Sequence, residues 1–350
     1  MVKRFVFAVP GDLATPTGGY AYDRRMIAEL GDLGWRIDLL NLGEGFPWPS
    51  ETTRATARTR LLSTPAGCAV VVDGLALGVL PEAASQLTGR NPLLALVHHP
   101  LALESGLSVQ QAEALRASER AALAAVRGVI VTSATTARLV VSEYGVPSER
   151  ITVAMPGSDP APPAPGSRDG VVRLLSVGAV VPRKGYDVLM EAMATLTDLP
   201  WRLTIAGDRT RDRNAAAQLD ADIARHALGH RVAALGAVSP QRLEALYAEA
   251  DVFVLASHFE GYGMAYAEAV AHGLPVIGTK AGAIPDTVPP DASLLVEPGD
   301  APALAMALRR IIEEAGLRQR LAGAAAAAAP RLPTWLCSAE LFARALETLA

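Results

Sequence analysis

The sequence predicts an α/β protein with two doubly wound parallel sheets, and three observations lead to this fold class. The chain has 350 residues, enough for two domains of roughly 150 residues each. Half of the residues (50%) are hydrophobic but only 5% are aromatic, so burial depends on Ala, Val, Leu and Ile, which are typical of parallel sheets covered by helices. Short apolar runs alternate with longer amphipathic stretches, the order expected of βα units.

The apolar runs form two series of candidate strands, one in each half of the chain. Strands are expected at Phe5–Val9, Arg36–Leu42, Ala69–Val72, Leu93–Val97 and Val129–Thr132, and then at Val172–Val177, Arg202–Ala206, Val232–Leu235, Val252–Leu255, Pro275–Gly278 and Ser293–Val296. Amphipathic stretches such as Gly19–Leu33 and Glu113–Val126 lie between these runs and are expected to form the covering helices.

A Pro-, Gly- and Ser-rich segment at residues 156–170 divides the chain. Such a segment cannot hold a helix or a central strand. We therefore expect a Rossmann-like domain at 1–156, a linker at 157–170 and a second Rossmann-like domain at 171–330. A last amphipathic helix is expected at 331–350, after prolines that interrupt an alanine-rich helix.

Charge and cysteine content exclude several classes. The net charge of −4 gives no sign of nucleic-acid binding, which usually shows as a basic balance. Cys68 and Cys337 cannot form a disulfide framework and are expected to be buried thiols. No apolar run reaches the ~18–20 residues of a spanning helix, and the apolar part of the N-terminus is too short for a signal peptide. The sequence predicts a cytoplasmic protein that does not bind nucleic acid.

The strongest motif is FEGYGMAYAEAVAHGLPVI at residues 259–277. It places Glu260 after a strand, then Gly261-Tyr262-Gly263, and then a helix that carries Glu268 about two turns on. Glycines before a helix let the backbone approach an anion, and the free N–H groups of the helix start suit phosphate. The two carboxylates are suited to sugar hydroxyls. On spacing alone, a surface helix with two solvated glutamates fits as well.

A second motif, VGAVVPRKGYDV, follows the strand Val172–Val177. Arg183 and Lys184 come just before a helix that begins at Gly185 or Tyr186. The carboxyl end of a strand is where α/β folds bind ligands, and a cation there can neutralise a diphosphate and a leaving group. An exposed basic turn is the alternative.

Two weaker motifs lie in the first half. Gly18-Gly19 opens a helix after the first strand and permits a close approach to phosphate, although a plain turn fits equally. His98 and His99 follow the fourth strand on a loop, a position that faces ligand crevices. Adjacent histidines rarely ligate one ion, and no Cys or carboxylate cluster has usable spacing, so no metal site is predicted.

Together these motifs resemble the retaining glycosyltransferases of family 4, the glycosyl transferases group 1, which have the GT-B fold. The resemblance depends on the Glu-x7-Glu of Glu260 and Glu268, Arg-Lys-Gly at 183–185, Gly207-Asp208 after a strand, LYAEADVFVLAS and HGLPVI. It implies two Rossmann-like domains that face a central cleft, the first holding the acceptor and the second the donor. The last helix, with Trp335, would cross back to the N-terminal domain.

The resemblance also implies roles for single residues. Glu260 would hold hydroxyls of the donor sugar, and Glu268 those of the ribose. Lys184 would bind the diphosphate and help it leave. His99, more than His98, would contact the donor sugar or the reaction centre. The remaining residues expected to contact the donor or its nucleotide are Gly18, Gly19, Arg183, Gly207, Asp208, Gly261, Tyr262, Gly263 and Met264.

The sequence departs from the family pattern at two places. Gly178-Ala179 stands where the family commonly has Gly-Arg, so one usual phosphate-binding cation is missing and Arg183 is the candidate replacement. After the strand near Pro275, the family usually has Gly-Gly and then a glutamate, whereas this chain has Gly282-Ala283 and then Asp286.

The expected activity is transfer of a hexose from a UDP- or GDP-sugar to an acceptor hydroxyl, with retention and with no metal or other cofactor. A nucleotide-sugar epimerase or hydrolase of the same fold, and a non-catalytic relative that binds sugar nucleotides, stay open. The acceptor, whether glycan, lipid or small molecule, and the oligomeric state are not readable. Arg54, Arg58 and Arg60 have roughly helical spacing, which fits either a peripheral contact with an anionic membrane or a solvated basic face.

Overall fold

Twelve parallel strands form two six-stranded sheets in the computed structural model, which describes residues 3–104, 106–167 and 169–349. The strands are β1 (Arg4–Val9), β2 (Arg36–Asn41), β3 (Ala69–Asp73), β4 (Leu93–Val97), β5 (Gly128–Val131) and β6 (Ile151–Val153), then β7 (Val172–Val177), β8 (Trp201–Ala206), β9 (Val232–Gly236), β10 (Val252–Val254), β11 (Val276–Thr279) and β12 (Ser293–Val296). The predicted fold class, two doubly wound parallel sheets, is confirmed.

Helices cover the sheets because each connection between parallel strands needs a crossover. The helices are α1 (Gly18–Asp32), α2 (Glu51–Leu62), α3 (Gly74–Leu77), α4 (Pro81–Thr88), α5 (Val109–Ala125), α6 (Ala134–Tyr144), α7 (Tyr186–Ala194), α8 (Arg213–Arg225), α9 (Pro240–Glu249), α10 (Met264–Ala271), α11 (Ile284–Thr287), α12 (Ala301–Glu313), α13 (Ala315–Ala328) and α14 (Trp335–Leu349). Short 3₁₀ turns lie at Leu101–Leu103, Ser148–Arg150, Pro182–Lys184, Pro290–Ala292 and Ala329–Arg331.

The chain folds as two compact units. Unit 1 consists of Met1–Gly157 and Pro333–Ala350, and unit 2 of Ser158–Leu332. Most of the proline-rich segment belongs to unit 2, because the N–H of Ala164 donates to the carbonyl of His272 at 2.8 Å. Residues 1, 2, 105, 168 and 350, which fall within the predicted domains and linker, lie outside the described residues.

Each sheet has one topological switch point. The order in unit 1 is β2-β1-β3-β4-β5-β6, so the sheet changes direction between β1 and β3. In unit 2 the order is β12-β11-β10-β7-β8-β9, so the change lies between β10 and β7. Ligands of open α/β sheets bind outside the carboxyl ends of the strands at such points. A ligand site is therefore expected at the segments that follow β1, β3, β7 and β10.

The cores explain why the strands were readable from the sequence. In β3 and β4 every side chain is buried, and in β10 all three are. Continuous apolar runs of this kind are expected where helices cover both faces of a sheet. β6 was not predicted, because three residues beside a proline-rich segment are too few to show a periodic pattern.

The last helix, α14, packs within unit 1, against α1, β5 and β6. Trp335 is 7% exposed, and a methyl group at Gly157 would overlap the backbone of Trp335. The phenol of Tyr22 on α1 donates to the carbonyl of Ala154 at 3.0 Å. The hydroxyl of Ser338 on α14 donates to the carbonyl of Met155. These contacts hold residues 154–157, where the first segment of unit 1 ends, between α1 and α14.

One expectation about cysteines is wrong. Cys68 is half-buried and Cys337 is exposed. Cys337 lies on the outer face of α14, whereas the apolar side of that helix, including Phe342 and Leu346, is turned into unit 1.

Candidate functional site

The segment after β7 turns sharply at Arg183-Lys184-Gly185. Gly185 has a φ of 64°, in the left-handed region that favours glycine. A methyl group there would also overlap the carbonyl oxygen of Ala256. The N–H of His258 donates to the carbonyl of Arg183 at 2.8 Å. The turn is therefore held against the segment that follows β10, and the two motifs predicted separately meet at the switch point of unit 2.

Glu260 lies at the centre of this meeting point. Its Oε1 accepts hydrogen bonds from Lys184 Nζ at 2.7 Å and from Ser257 Oγ at 2.6 Å. Its Oε2 accepts from Arg183 Nη1 at 3.2 Å, and the same nitrogen donates to the carbonyl of Phe259 at 2.8 Å. The residue is only 6% exposed. The structure thus brings together three predicted site residues and adds Ser257, which the sequence analysis missed.

The charge state of Glu260 follows from these neighbours. Burial alone raises the pKa of the carboxyl, but the ammonium of Lys184 and the guanidinium of Arg183 outweigh it and bring the pKa to about 2. The group is ionised at neutral pH. Two cations against one carboxylate give these three side chains a net charge of +1.

The glycine-rich loop continues directly into α10. Gly263 has a φ of 97° and is the N-cap of α10, with no side-chain cap hydrogen bond. An N-terminus without a side-chain cap keeps backbone N–H groups for an anion. The carbonyl of Tyr262 accepts from Thr287 Oγ1 at 2.6 Å, which ties the loop to α11. Met264 is the first residue of the helix.

The departure at Gly282-Ala283 adjoins Glu260. The φ of Gly282 is 55°, and a methyl group there would overlap the carbonyl oxygen of Glu260. The N–H of Ala283 donates to that same oxygen at 2.9 Å. In this chain Gly282 and Ala283 therefore pack against the backbone of Glu260 and hold it in place.

Gly207 and Asp208 lie beside the segment after β7. A methyl group at Gly207 would overlap the carbonyl oxygen of Gly178, and the N–H of Val180 donates to the carbonyl of Asp208 at 2.8 Å. The carboxylate of Asp208 accepts from the N–H and the hydroxyl of Thr210, both at 2.8 Å. The Asp208 side chain therefore stabilises the loop that follows β8.

Glu268 lies within α10, and its carboxylate is held from α9. Its Oε2 accepts a hydrogen bond from the phenol of Tyr247 at 2.8 Å. Burial raises the pKa of the Glu268 carboxyl, and the hydrogen bond from Tyr247 opposes part of that rise. Tyr247 was not among the site residues predicted from the sequence. The only signal was its place in LYAEAD, just before β10.

Unit 1 has its own cluster of polar side chains at its switch point. Nε2 of His98 lies 3.1 Å from Oδ1 of Asp23 on α1 and 3.8 Å from Oδ2 of Asp73 at the end of β3. Asp23 is 0% and Asp73 2% exposed. A methyl group at Gly19 would lie 3.3 Å from the His98 ring, so the glycine lets α1 pack against the histidine. Gly18 is the first residue of α1.

The buried carboxylates shift the titration of this cluster. Burial lowers the pKa of the His98 imidazole, but the charges of Asp23 and Asp73 outweigh it and raise the pKa overall. Burial, and then the charge of Asp23, raise the pKa of the Asp73 carboxyl to about 7. His99, the histidine favoured by the resemblance, instead has its Nε2 3.4 Å from Oε2 of Glu104. His98 thus lies beside two buried carboxyl groups, and the role assigned to His99 stays a prediction.

Asp23, Asp73 and His98 also form a group that could hold a metal ion, because one ligand atom of each lies within 4.8 Å of the others. No such spacing was visible in the sequence, since the three residues come from three elements. The 3.1 Å contact between Nε2 of His98 and Asp23 is also that of an ordinary hydrogen bond.

The arginines of α2 bind within unit 1. Arg54 donates to the carbonyl of Val79, and Arg58 to Gln86 Oε1 at 3.1 Å. Arg60 donates to the carbonyl of Asn41 at 2.5 Å. Among the described residues, no helix is long and apolar enough to span a bilayer.

Part of the chain is similar to known glycosyltransferases. Residues 159–327 match the model of the family described as Glycosyl transferases group 1. An MMP alpha-(1->4)-mannosyltransferase of Mycolicibacterium hassiacum is 28% identical over 297 residues, which are 79% of this chain and 69% of that protein. A D-inositol 3-phosphate glycosyltransferase of Xylanimonas cellulosilytica is 31% identical over 230 residues. These are 61% of this chain but only 55% of that protein.

Two solved structures share the fold over nearly the whole chain. Sucrose-phosphate synthase from Thermosynechococcus elongatus has a TM-score of 0.82 at 21% identity and covers 99% of both chains. HepE of Anabaena, solved in complex with UDP and glucose, has a TM-score of 0.77 at 18% identity and covers 98% of this chain and 99% of its own. At these identities the likeness concerns the fold alone.

Proposed function

We propose that the chain, whose residues 159–327 match the model of the Glycosyl transferases group 1 family, transfers a hexose from a nucleotide-diphosphate sugar to an acceptor hydroxyl. We place it among the retaining enzymes of family 4, and the reaction needs no metal or other cofactor. The observation that carries the proposal is the cluster of Lys184, Arg183 and Glu260 at the switch point of unit 2.

The cluster suits a diphosphate leaving group. Lys184, with a side chain 14% exposed, and Arg183, 16% exposed, both pair with Glu260. Glu260 comes shortly before the start of α10 at Met264, which has no side-chain cap hydrogen bond. A diphosphate there meets two cations and backbone N–H groups, which stabilise the charge that develops as it leaves. Arg183 takes the place of the cation missing at Ala179. Glu260 holds both cations in position and contacts hydroxyls of the donor sugar.

The proposed chemistry is a front-side displacement. The bond between the anomeric carbon and the diphosphate oxygen breaks while the acceptor oxygen bonds to the same face of the sugar. The acceptor proton passes to the departing diphosphate, so no covalent intermediate on the protein is required. The chain contributes positioning and charge stabilisation, which together account for large parts of many rate enhancements.

Donor and acceptor contacts are assigned to different parts of the chain. In unit 2, Glu268 accepts hydrogen bonds from ribose hydroxyls, and the backbone from Gly261 to Met264 contacts diphosphate and sugar. In unit 1, Gly18, Gly19 and His99 are the candidate ligand contacts, and the segments after its strands select the acceptor.

A thermal-shift screen with UDP-, GDP- and ADP-sugars tests the proposal first. A bound ligand stabilises the folded state according to RT ln(1 + [L]/Kd), so the correct donor raises the melting temperature in a concentration-dependent way. No shift with any of the three at millimolar concentration would overturn the proposal.

Product analysis tests the finer claims. NMR of the product should show the anomeric configuration of the donor, and turnover should survive EDTA. Incubation of the donor without acceptor separates the competing activities, because an epimerase converts and a hydrolase cleaves the donor alone. Donor binding with no turnover across a wide acceptor panel would identify a non-catalytic relative.

We also propose that the protein works in the cytoplasm, with any membrane contact peripheral. The hydrogen bonds of Arg54, Arg58 and Arg60 to groups of unit 1 argue against a basic face dedicated to lipid. Co-sedimentation with anionic vesicles at low salt that disappears at 0.1 M salt, where exposed charges more than ~10 Å apart are screened, would reveal such a basic face and contradict that argument.

A further inference from the structure

Tyr247 is a buried phenol of α9 to which no role was assigned from the sequence. It is 2% exposed, and its ring packs against two others. The ring of His272 is stacked on it at 4.8 Å between centroids and 17° between planes, and the ring of Phe253 lies at 6.3 Å and 23°. A tyrosine in such surroundings has one position, so its hydroxyl points in a defined direction.

The hydroxyl of Tyr247 has two acceptors within reach and only one proton. Oε2 of Glu268 lies at 2.8 Å and the carbonyl oxygen of Ala265 at 3.2 Å. A carboxylate is the stronger acceptor, and it is also the nearer one. Burial raises the pKa of the Tyr247 phenol well above its ordinary value, so the group stays a donor at neutral pH. The hydrogen bond occupies Oε2 of Glu268 and leaves Oε1 for a ligand hydroxyl.

A ring of contacts between α9 and α10 holds this pair. Nδ1 of His272 lies 2.8 Å from the carbonyl oxygen of Glu268, and Nε2 lies 3.0 Å from Oε1 of Glu244. Glu244 and Tyr247 are three residues apart on α9, on one face of the helix. Tyr247 thus holds the carboxylate of Glu268, and His272 contacts the backbone carbonyl of the same residue.

We propose that Tyr247 is a positioning residue that orients the Glu268 carboxylate so that Oε1 receives the hydroxyls of a ribose. The inference rests on the proposed function, because it assumes that the ligand of unit 2 is a nucleoside diphosphate. It goes further by assigning ribose recognition to a side chain that does not touch the ligand. A ribonucleotide and its 2′-deoxy analogue should therefore differ in affinity, and the difference should depend on Tyr247.

Tyr247→Phe removes the hydroxyl and keeps the stacked ring. The ligand is whichever of UDP, GDP and ADP the wild type binds most tightly, compared with its 2′-deoxy analogue by calorimetry. The variant should bind the ribonucleotide about tenfold more weakly, the effect of losing one hydrogen bond to a charged group. It should bind the 2′-deoxy analogue within about twofold of the wild type, because that ligand makes less use of the carboxylate.

A double-mutant cycle with Glu268→Gln separates positioning from general stability. If Tyr247 acts through Glu268, Tyr247→Phe should change ribonucleotide affinity little once Glu268 is replaced. Independent, additive losses would overturn the inference. Tyr266→Phe is the matched control, because it deletes another buried phenol of unit 2, bonded to the carbonyl of Leu255 at 2.6 Å. Its ratio of ribo- to deoxynucleotide affinity should equal that of the wild type.

A pH series gives a further readout that a purely structural role would not move. The groups that face Glu268 are Tyr247 and Glu244 on α9, His272 at the end of α10, and Asp159 ahead of β7. Tyr247→Phe removes the hydrogen bond that favours the carboxylate, so the acid loss of ribonucleotide binding should move to higher pH. An unchanged profile together with an unchanged affinity ratio would overturn the inference. A wild type that binds none of the three nucleotides would overturn the proposed function itself.

Discussion

Replacing Glu260 by glutamine removes the one negative charge of the cluster at the switch point of unit 2. The carboxyl is buried and its pKa lies at about 2, against an ordinary value of 4.5. Each pKa unit corresponds to about 1.4 kcal/mol, so the ionised group stabilises unit 2 by about 3 kcal/mol at neutral pH. A loss of this size is typical when a buried ion pair loses one partner. Glu260→Gln should therefore lower the unfolding free energy by about that amount.

The pH dependence of this loss has a definite sign. A carboxyl whose pKa is lower in the folded than in the unfolded state stabilises the protein fully above the unfolded pKa, and this contribution disappears as the pH falls towards the folded pKa. The difference between wild type and Glu260→Gln should be about 3 kcal/mol at pH 7 and shrink to roughly 2 kcal/mol at pH 3.5.

Native-state hydrogen exchange on peptides of β7 and β10 measures this difference in unfolding free energy, because these strands belong to unit 2 and report the opening of that unit. Glu297→Gln is the matched control. Its partner is Lys280 at 2.9 Å, and the two side chains are 66% and 55% exposed, so that pair should contribute nothing measurable. A Glu260→Gln loss below 1 kcal/mol at pH 7, or one that does not change with pH, would refute the reasoning.

Three further outcomes are expected. Lys184→Ala should lower kcat by about 10²–10³, because a charge that stabilises the leaving group is lost. The rate of nucleoside-diphosphate release measures kcat, and near-wild-type turnover would show that Lys184 does not stabilise the leaving group. Gly207→Ala should lower the melting temperature, since its methyl group overlaps a carbonyl oxygen, whereas Gly229→Ala meets nothing within 4 Å; equal melting curves would contradict this. His98→Ala should destabilise unit 1 more than His99→Ala in thermal denaturation, because it leaves the two buried carboxyl groups of Asp23 and Asp73 without the imidazole that contacts them. Equal losses would be inconsistent with that cluster.

The sequence predicted the parts of the site that depend on local order along the chain. Lys184 and Glu260 each follow a strand made mostly of apolar residues, and in a parallel sheet all such strands end at one edge. Alternation of strands and helices and the glycines before α10 are likewise local features. The predicted fold class was right for this reason, although the three residues of β6 are too short a run to show a period.

Only the tertiary structure decided which side chains meet. Ser257 gains its role because Gly185 brings the turn after β7 against the segment after β10, which depends on the strand order. Tyr247 reaches Glu268 from another helix. Asp23, Asp73 and His98 come from α1, β3 and the end of β4. Burial and charge at such points are set by neighbours distant in sequence, which no local pattern encodes.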